Sequence, residues 1–335
     1  MASSKPLLGI TMGDPAGTGA EIIVRAFAEG LISDSLNVVV IGDVTTLRKA
    51  AEIQNISVNL SEIKSVEHAH FESDSLNVLD LKNVDHETLV LGQISAMAGK
   101  AAYEYIDTAI QLALDQKIAA VVTSAINKES LHLAGYTQYA GHTEILAEKT
   151  SSKNVSMMLA AGNFRVTHVS THVSLQTAIE RCKIPRILNV IRLTNQSLKN
   201  LGLDNPFIAV AGLNPHSGEQ GLFGTEEIEE IQPAIDAAIA EGINVSPKAE
   251  PPDTVFVRMK NNEAFDAVVA QYHDQGHIAA KLVDFFGGVN ITLGLNIIRT
   301  SVDHGTAFDI AGTGKARPDS LISAIEYAAK LAGQR

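Results

Sequence analysis

The segment Ala267-Val-Val-Ala270, followed directly by Gln271-Tyr-His-Asp-Gln-Gly-His277, decides how the chain folds. A short apolar run bounded by polar residues has the pattern of a strand buried on both faces, as in a parallel sheet covered by helices. The turn leaving the carboxyl end of such a strand is where open α/β sheets gather their chemistry. Two histidines, an aspartate and a glycine at that spot supply metal ligands, proton carriers and backbone freedom. Downstream lie Lys281, Asn290 and Arg299, and then His304-Gly-Thr-Ala-Phe-Asp-Ile-Ala-Gly312.

Working outward, the same pattern recurs. Leu7–Met12, Val38–Asp43, Ala119–Thr123 and Phe207–Ala211 read as strands, and Val155–Ala161 with Arg165–Val169 as a strand pair around Gly162-Asn163. Between them, apolar residues recur at helical spacing over Ser95–Gln116, Pro185–Leu201, Thr225–Glu241 and Ser320–Ala332. In the acidic Thr225–Glu241 segment, Ile228, Ile231, Ile235 and Ile239 share one face. Gly141-His-Thr-Glu144 opens another helix, with Thr143 placed to cap it. Strands alternating with helices predict a doubly wound α/β architecture. The glycine-rich turn Gly13–Glu21 fits a dinucleotide-binding fingerprint poorly, because Asp14 and Pro15 interrupt it. It reads either as a loop that approaches a ligand or as a tight turn needing positive φ.

The chain has 335 residues, 45% of them hydrophobic, 5% aromatic and none Trp, which suits helices laid on a parallel sheet. Lys and Arg number 26 against 38 Asp and Glu, a net charge of -12. Such a chain is a poor general nucleic-acid binder, since duplex affinity rests on neutralising phosphates. A small anionic substrate is still admissible where basic residues gather locally. The single cysteine, Cys182, excludes an internal disulfide and has no base beside it in sequence, so it reads as structural. His68, His70 and His86 lie among charged residues and read as exposed. No apolar run approaches the roughly 20 residues of a membrane span. The Met-Ala-Ser-Ser-Lys-Pro start lacks the layout of a signal peptide. The expectation is a cytoplasmic protein.

Three histidines follow predicted strands: His172, His216 and His273. Neutral imidazoles in threes bind a divalent transition metal and leave positions for substrate. The alternative is partly buried structural histidines, and spacing alone leaves both open. His168 and His172 stand at i, i+4, as do His273 and His277; in a helix that spacing brings two imidazoles together, in a strand it does not. His168, in a predicted strand, is the weaker candidate, and His277 is a candidate supporting group. A second set, Lys128, His142, Thr143, Lys281, Asn290 and Arg299, falls at strand or helix ends. Each by itself reads as a solvated surface group; as a set they suit a phosphorylated substrate, with Arg299 able to bind two oxygens at once.

The motifs Gly13-Asp-Pro-Ala-Gly-Thr-Gly-Ala-Glu21, Gly141-His-Thr-Glu144, Thr171-His172, Asn214-Pro-His-Ser-Gly-Glu219, Pro252-Asp-Thr254, Tyr272-His-Asp-Gln-Gly276, Gly288-Val-Asn-Ile-Thr292 and Arg299-Thr-Ser-Val-Asp-His-Gly-Thr306 together resemble the 4-hydroxythreonine-4-phosphate dehydrogenase family. The resemblance runs from residue 7 to about residue 332. The last motif, continued to Gly312, is also similar to the dinucleotide loop of the isocitrate/isopropylmalate dehydrogenases. That resemblance implies a two-domain α/β/α fold with a cleft between domains, residues 1–130 plus 300–335 forming one and 131–299 the other. It implies metal ligands at His172, His216 and His273 holding a divalent ion (Zn, Mg, Mn or Co). It implies a homodimer in which His273 completes the partner's site. Substrate would be held by His142, Thr143, Lys281, Asn290 and Arg299, and NAD would lie near Gly305 and Asp309.

Departures bear on the substrate. Thr18 and Ala20 stand where the family more often has Ile and Pro, Ser124–Glu129 differs from its vitamin B6 branch, and His277 replaces an apolar residue. Asn127–Glu129, Pro251–Asp253 and His277 look like the branch acting on D-threonate or D-erythronate 4-phosphate. The reaction so implied is NAD-dependent oxidative decarboxylation to dihydroxyacetone phosphate and CO2, with Lys128 or Asp253 moving the proton. The amino analogue, 4-phosphooxy-L-threonine, is the alternative substrate. A metal-dependent phosphate-ester hydrolase and a catalytically silent metabolite sensor are the rivals of other classes.

Overall fold

The computed structural model describes residues 5–33, 35–72, 74–261 and 265–333. Met1–Ser4, part of the segment read for a leader, lie outside the described residues. The chain forms two compact units, one running up to Lys153 and resuming over Leu295–Gly333, the other Asn154–Gly294.

In chain order, the first unit holds β1 (Leu7–Thr11), α1 (Gly19–Ala28), β2 (Asn37–Gly42), α2 (Val44–Ile53), β3 (Asn59–Ile63), β4 (Ser75–Asp80), α3 (Ala96–Leu114), β5 (Ala120–Thr123), α4 (Lys128–Leu133) and α5 (His142–Lys149). The second unit holds β6 (Ser156–Ala161), β7 (Phe164–His168), α6 (Leu175–Arg181), α7 (Ile184–Asn200), β8 (Ile208–Val210), α8 (Gln232–Ala240), α9 (Val255–Lys260), β9 (Ala267–Ala270), α10 (His273–Val283) and β10 (Val289–Leu293). The chain then returns to the first unit with β11 (Arg299–Val302) and α11 (Asp319–Ala332). No described helix is long and apolar enough to cross a membrane.

The first unit's strands run in the order β3-β4-β2-β1-β5-β11, each parallel to its neighbours. Helix starts follow from side chains that satisfy the free amides of the first turn. Asp43 Oδ1 accepts from Thr46 N at 2.7 Å, Ser95 Oγ from Ala98 N at 3.2 Å, and Asn127 Oδ1 from Ser130 N at 2.9 Å. His86 is not the free surface group expected from its charged surroundings: its Nε2 lies 2.9 Å from buried Asp43 Oδ1.

The second unit's strands run β10-β6-β7-β9-β8, antiparallel through β7 and parallel beyond it. Strand β9 is buried on both faces, as the apolar run predicts. Ala267 and Val269 pack with Ile187, Val190, Ile191 and Ile235 on one side, while Val268 and Ala270 pack with Phe164, Val255 and Phe256 on the other. Cys182 is buried in the first of these layers, and burial pushes its thiol up to about 12, in keeping with a structural role. The Thr225–Glu241 helix departs from the sequence pattern. A π-turn over Glu227–Ile231 precedes α8, and only Ile231 and Ile235 are buried, with Ile228 and Ile239 exposed. Pro233 has no N–H to continue an α-helical ladder, and the wider turn accommodates it.

Helices α3 and α4 meet at Gly99, where a Cβ would lie 2.0 Å from the Ser130 carbonyl oxygen. Alanine would gain about 1 kcal/mol of helix propensity there, but the obstacle is backbone. Gly99→Ala is therefore expected to destabilise the protein by about 1–3 kcal/mol, read as a lower urea midpoint in equilibrium unfolding; an unchanged or raised midpoint would contradict this packing.

Candidate active site

The ligand-rich stretch after β9 is only briefly a turn; from His273 it is helix α10. Its two glutamines tie it down. Gln271 Nε2 donates to the Ala211 carbonyl at 2.7 Å and Gln275 Nε2 to the Gly212 carbonyl at 2.8 Å, while Gln275 Oε1 accepts from Gln271 N at 2.7 Å. This anchors the helix start to the end of β8. It also puts His273 and His277 one turn apart on one helix, where their rings stack at 3.6 Å and 13°.

His168, at the end of β7, is fully buried, and its Nε2 lies 3.1 Å from His277 Nδ1. It fits only because residue 276 is glycine: a Cβ there would sit 2.3 Å from His168 Nε2. Burial, reinforced by neighbouring imidazoles, holds His168 down to about 3 and His277 down to about 4, so both are neutral near pH 7. His172, on the turn after β7, has its ring centre 5.4 Å from that of His273. His273 Nδ1 lies 2.7 Å from Asp274 Oδ1. A carboxylate there makes Nδ1 the protonated nitrogen and leaves a lone pair on Nε2, the arrangement of a metal-ligating histidine.

His216 sits in a loop of unusual backbone. His216, Ser217, Gly218, Glu219 and Gln220 all have positive φ, one left-handed turn. For non-glycine residues this costs about 1–2 kcal/mol each, so other contacts must impose it. Glu227, buried in the π-turn, accepts from Leu213 N and Asn214 N at 2.7 Å each and from Asn214 Nδ2 at 2.9 Å. Gly218 leaves room for that carboxylate, since a Cβ would lie 2.6 Å from its Oε2. The His216 ring rests near Phe223, 6.3 Å between centres. Among the described residues, no group of three or more His, Cys, Asp or Glu side chains is arranged to hold a metal ion. Lys281 lies on α10 with its ammonium 5.6 Å from the Phe285 ring centre. Asn290, on β10, has a buried Oδ1 without a hydrogen-bond partner, and Asp253 is exposed just before α9.

In the first unit, four amides of the Gly13–Glu21 loop are bonded to oxygens of the same unit. Asp14 N donates to Ala125 O, Ala16 N to Asp14 Oδ1, Gly17 N to Asp14 O and Thr18 N to Thr306 O. Gly13 has φ +80°, so the turn reading holds, and these amides do not cradle a phosphate. Glu21 instead accepts from Gly312 N and Gly314 N, at 2.7 and 2.8 Å, and so anchors the 304–314 loop. Within that loop Gly305 faces open space and Asp309 is exposed.

Arg299 opens β11, buried, with Nε and Nη2 donating to Thr123 Oγ1 at 3.1 and 2.7 Å; burial lowers its pKa to about 9. His142 begins α5, its Nε2 buried without a hydrogen-bond partner. Burial first, and then the Arg299 guanidinium, hold its pKa well below the ordinary range. Thr143 is already inside the helix and makes no cap, contrary to expectation; Gly141 is the capping residue. Lys128 is the exposed first residue of α4.

Sequence reasoning passed over Glu227, Gln271, Gln275 and Asp14, and ranked His168 low because it lies in a strand. Asp14 is 1% exposed. Burial raises its carboxyl from 3.8 to about 6, against the pull of Ala16 N, the Ser130 hydroxyl and Asn127 N. A raised acid pKa favours the folded state below about pH 4 and withdraws that advantage as pH climbs through about 6. The rise is worth about 3 kcal/mol. Asp14→Asn is expected to raise the thermal midpoint at pH 8 and to change it little at pH 4, measured by differential scanning calorimetry at both.

Comparison with known proteins agrees with this geometry. The family profile described as "Pyridoxal phosphate biosynthetic protein PdxA" matches residues 34–328. D-threonate 4-phosphate dehydrogenase from Cupriavidus necator is 45% identical over 336 residues, covering 100% of both chains. The Pectobacterium atrosepticum enzyme of the same name is 45% identical over 327 residues, 97% of this chain and 99% of that one. The crystal structure of 4-hydroxythreonine-4-phosphate dehydrogenase from Klebsiella pneumoniae superposes with a TM-score of 0.89 at 45% identity, over 98% of this chain and 100% of the other. The α/β fold expected from the strand pattern is the one found, and the chain belongs to the PdxA family.

Proposed function

We propose that this chain, a dehydrogenase acting on a hydroxyl group, oxidises and decarboxylates a four-carbon 3-hydroxy acid phosphorylated at C4. D-threonate or D-erythronate 4-phosphate would yield dihydroxyacetone phosphate and CO2. Full-length likeness to enzymes named D-threonate 4-phosphate dehydrogenase carries the substrate class. When bound, NAD accepts the hydride and a divalent metal supplies positive charge at the reacting oxygens.

The chain's own residues have these roles in the proposal. His172 and His273 present imidazole nitrogens suited to such an ion. Arg299 and His142, with Thr143, Lys281 and Asn290, grip the anionic groups, the guanidinium by paired donors. Lys128 or Asp253 moves the proton. Gly305 and Asp309 border the cofactor.

His216 is proposed as the third ligand, with His273 completing the site of a second copy of the chain rather than its own. Two observations support this. A single chain assembles no trio of ligands among its described residues. The helix carrying His273 also presents Ile278, Leu282 and then Phe285 and Phe286 to solvent, Leu282 at 79% exposure. An apolar ridge of that kind calls for a covering surface, and a second copy would bring its own His273 with it.

The likeness to the Klebsiella enzyme favours one second reading, oxidation of 4-phosphooxy-L-threonine. Purified protein with a divalent metal and NAD should form NADH with D-threonate or D-erythronate 4-phosphate, and far less with 4-phosphooxy-L-threonine. The reverse order would establish the second reading, and phosphate release without NADH would indicate a hydrolase. His172→Ala and His273→Ala should each be inactive. Confirmed mixed dimers of the two should recover part of the activity; none recovered would count against a shared site.

A further inference from the structure

We propose that His277 and His168 are positioning residues that hold the plane of the His273 imidazole, whose tautomer Asp274 sets. This rests on His273 being a metal ligand, as proposed above. Two backbone carbonyls face these rings. The His273 carbonyl oxygen lies 3.2 Å from His277 Nδ1, and the Met157 carbonyl oxygen lies 3.4 Å from His168 Nδ1. A carbonyl only accepts, so each contact places a hydrogen on the Nδ1 facing it. His168 Nε2 then carries a lone pair, and it is this atom that meets His277 Nδ1 at 3.1 Å. The two assignments together give one donor and one acceptor, as the contact requires. The His277 N–H is shared between His168 Nε2 and the His273 carbonyl.

That hydrogen bonding fixes the His277 ring, and the His273 ring lies flat on it at 3.6 Å and 13°. Asp274 holds the Nδ1 edge of His273 at 2.7 Å, so His273 is constrained on one face and one edge. The arrangement extends back into the sheet. His168 is locked at the end of β7 and pressed against the bare Cα of Gly276, which also explains the glycine. A histidine used merely as filler would not need its nitrogens in this order, and a leucine would fill the space as well.

The test uses the full-length protein and Co2+ alone, followed by its visible absorption without substrate. His277→Leu should bind Co2+ about 10–100-fold more weakly than wild type, the scale of losses when groups behind a metal ligand are removed. His277→Phe, which keeps a flat ring, should recover most of that affinity. Undiminished binding by a folded His277→Leu would overturn the proposal. His273→Ala separates the two claims. If it binds Co2+ as wild type does, the metal reading itself fails; if it loses Co2+ while His277→Leu does not, only the positioning role fails. Nitrogen-15 spectra of histidine-labelled wild-type protein need no variant. They should show His168 and His277 protonated at Nδ1 and bare at Nε2, and an Nε2-protonated His277 would overturn the assignment.

Discussion

Strand β9 has no polar face, and the second unit is arranged around that constraint. With apolar layers against both sides of Ala267–Ala270, nothing reactive can be placed along the strand. Chemistry is confined to its end, where the backbone leaves the sheet. The chain then immediately commits side chains to holding that exit in place. Gln271 and Gln275 reach back to the carbonyls that end β8, and His168 occupies the space left open by Gly276. A parallel neighbour on each side thus fixes where α10 begins, and through it the position of His273 and His277.

The two units show different ways of managing polar groups near a site. In the first, amides of the Gly13–Glu21 turn are bonded to Asp14, Ala125 and Thr306, and Arg299 is buried against Thr123. Burial there leaves Asp14 easier to protonate and His142 harder to protonate, so each is pushed toward its neutral form. In the second unit, a buried carboxylate, Glu227, anchors Leu213 and Asn214 at the start of the left-handed loop that carries His216. Such strain persists because the hydrogen bonds over-determine the loop, and strain of this kind is commonly kept where a side chain must point in one direction.

Much of this was legible in the chain. The apolar runs marked β1, β2, β5, β8 and β9, the helical periodicity marked α3, α7 and α11, and the strand-end histidines marked His172, His216 and His273. Contacts between residues distant in sequence were not legible. The i, i+4 spacing of His273 and His277 brings rings together only in a helix, and periodicity did not say that the helix begins at His273. His168 looked unpromising in a strand because a strand separates it from His172, yet its partner is His277, 109 positions away. Thr143 and Ile228 show the reverse error, where a local rule was overruled by where the helix starts and by a π-turn ahead of Pro233.

The sequence by itself determined the α/β class, the family and which residue types stand at strand ends, because these follow from burial periodicity and from residues a short distance apart. Tertiary structure alone decided which nitrogen of which histidine carries a hydrogen. It also decided which glycine admits an imidazole and which carboxylate anchors the start of the His216 loop. Those are settled by atoms within about 3 Å of one another that belong to different strands and turns, and no local pattern in the chain encodes such a distance. The stretch Gln271–His277 shows both limits: its composition set it apart, and only the carbonyls of Ala211 and Gly212 and the buried ring of His168 showed what holds Gln271, Gln275 and His277.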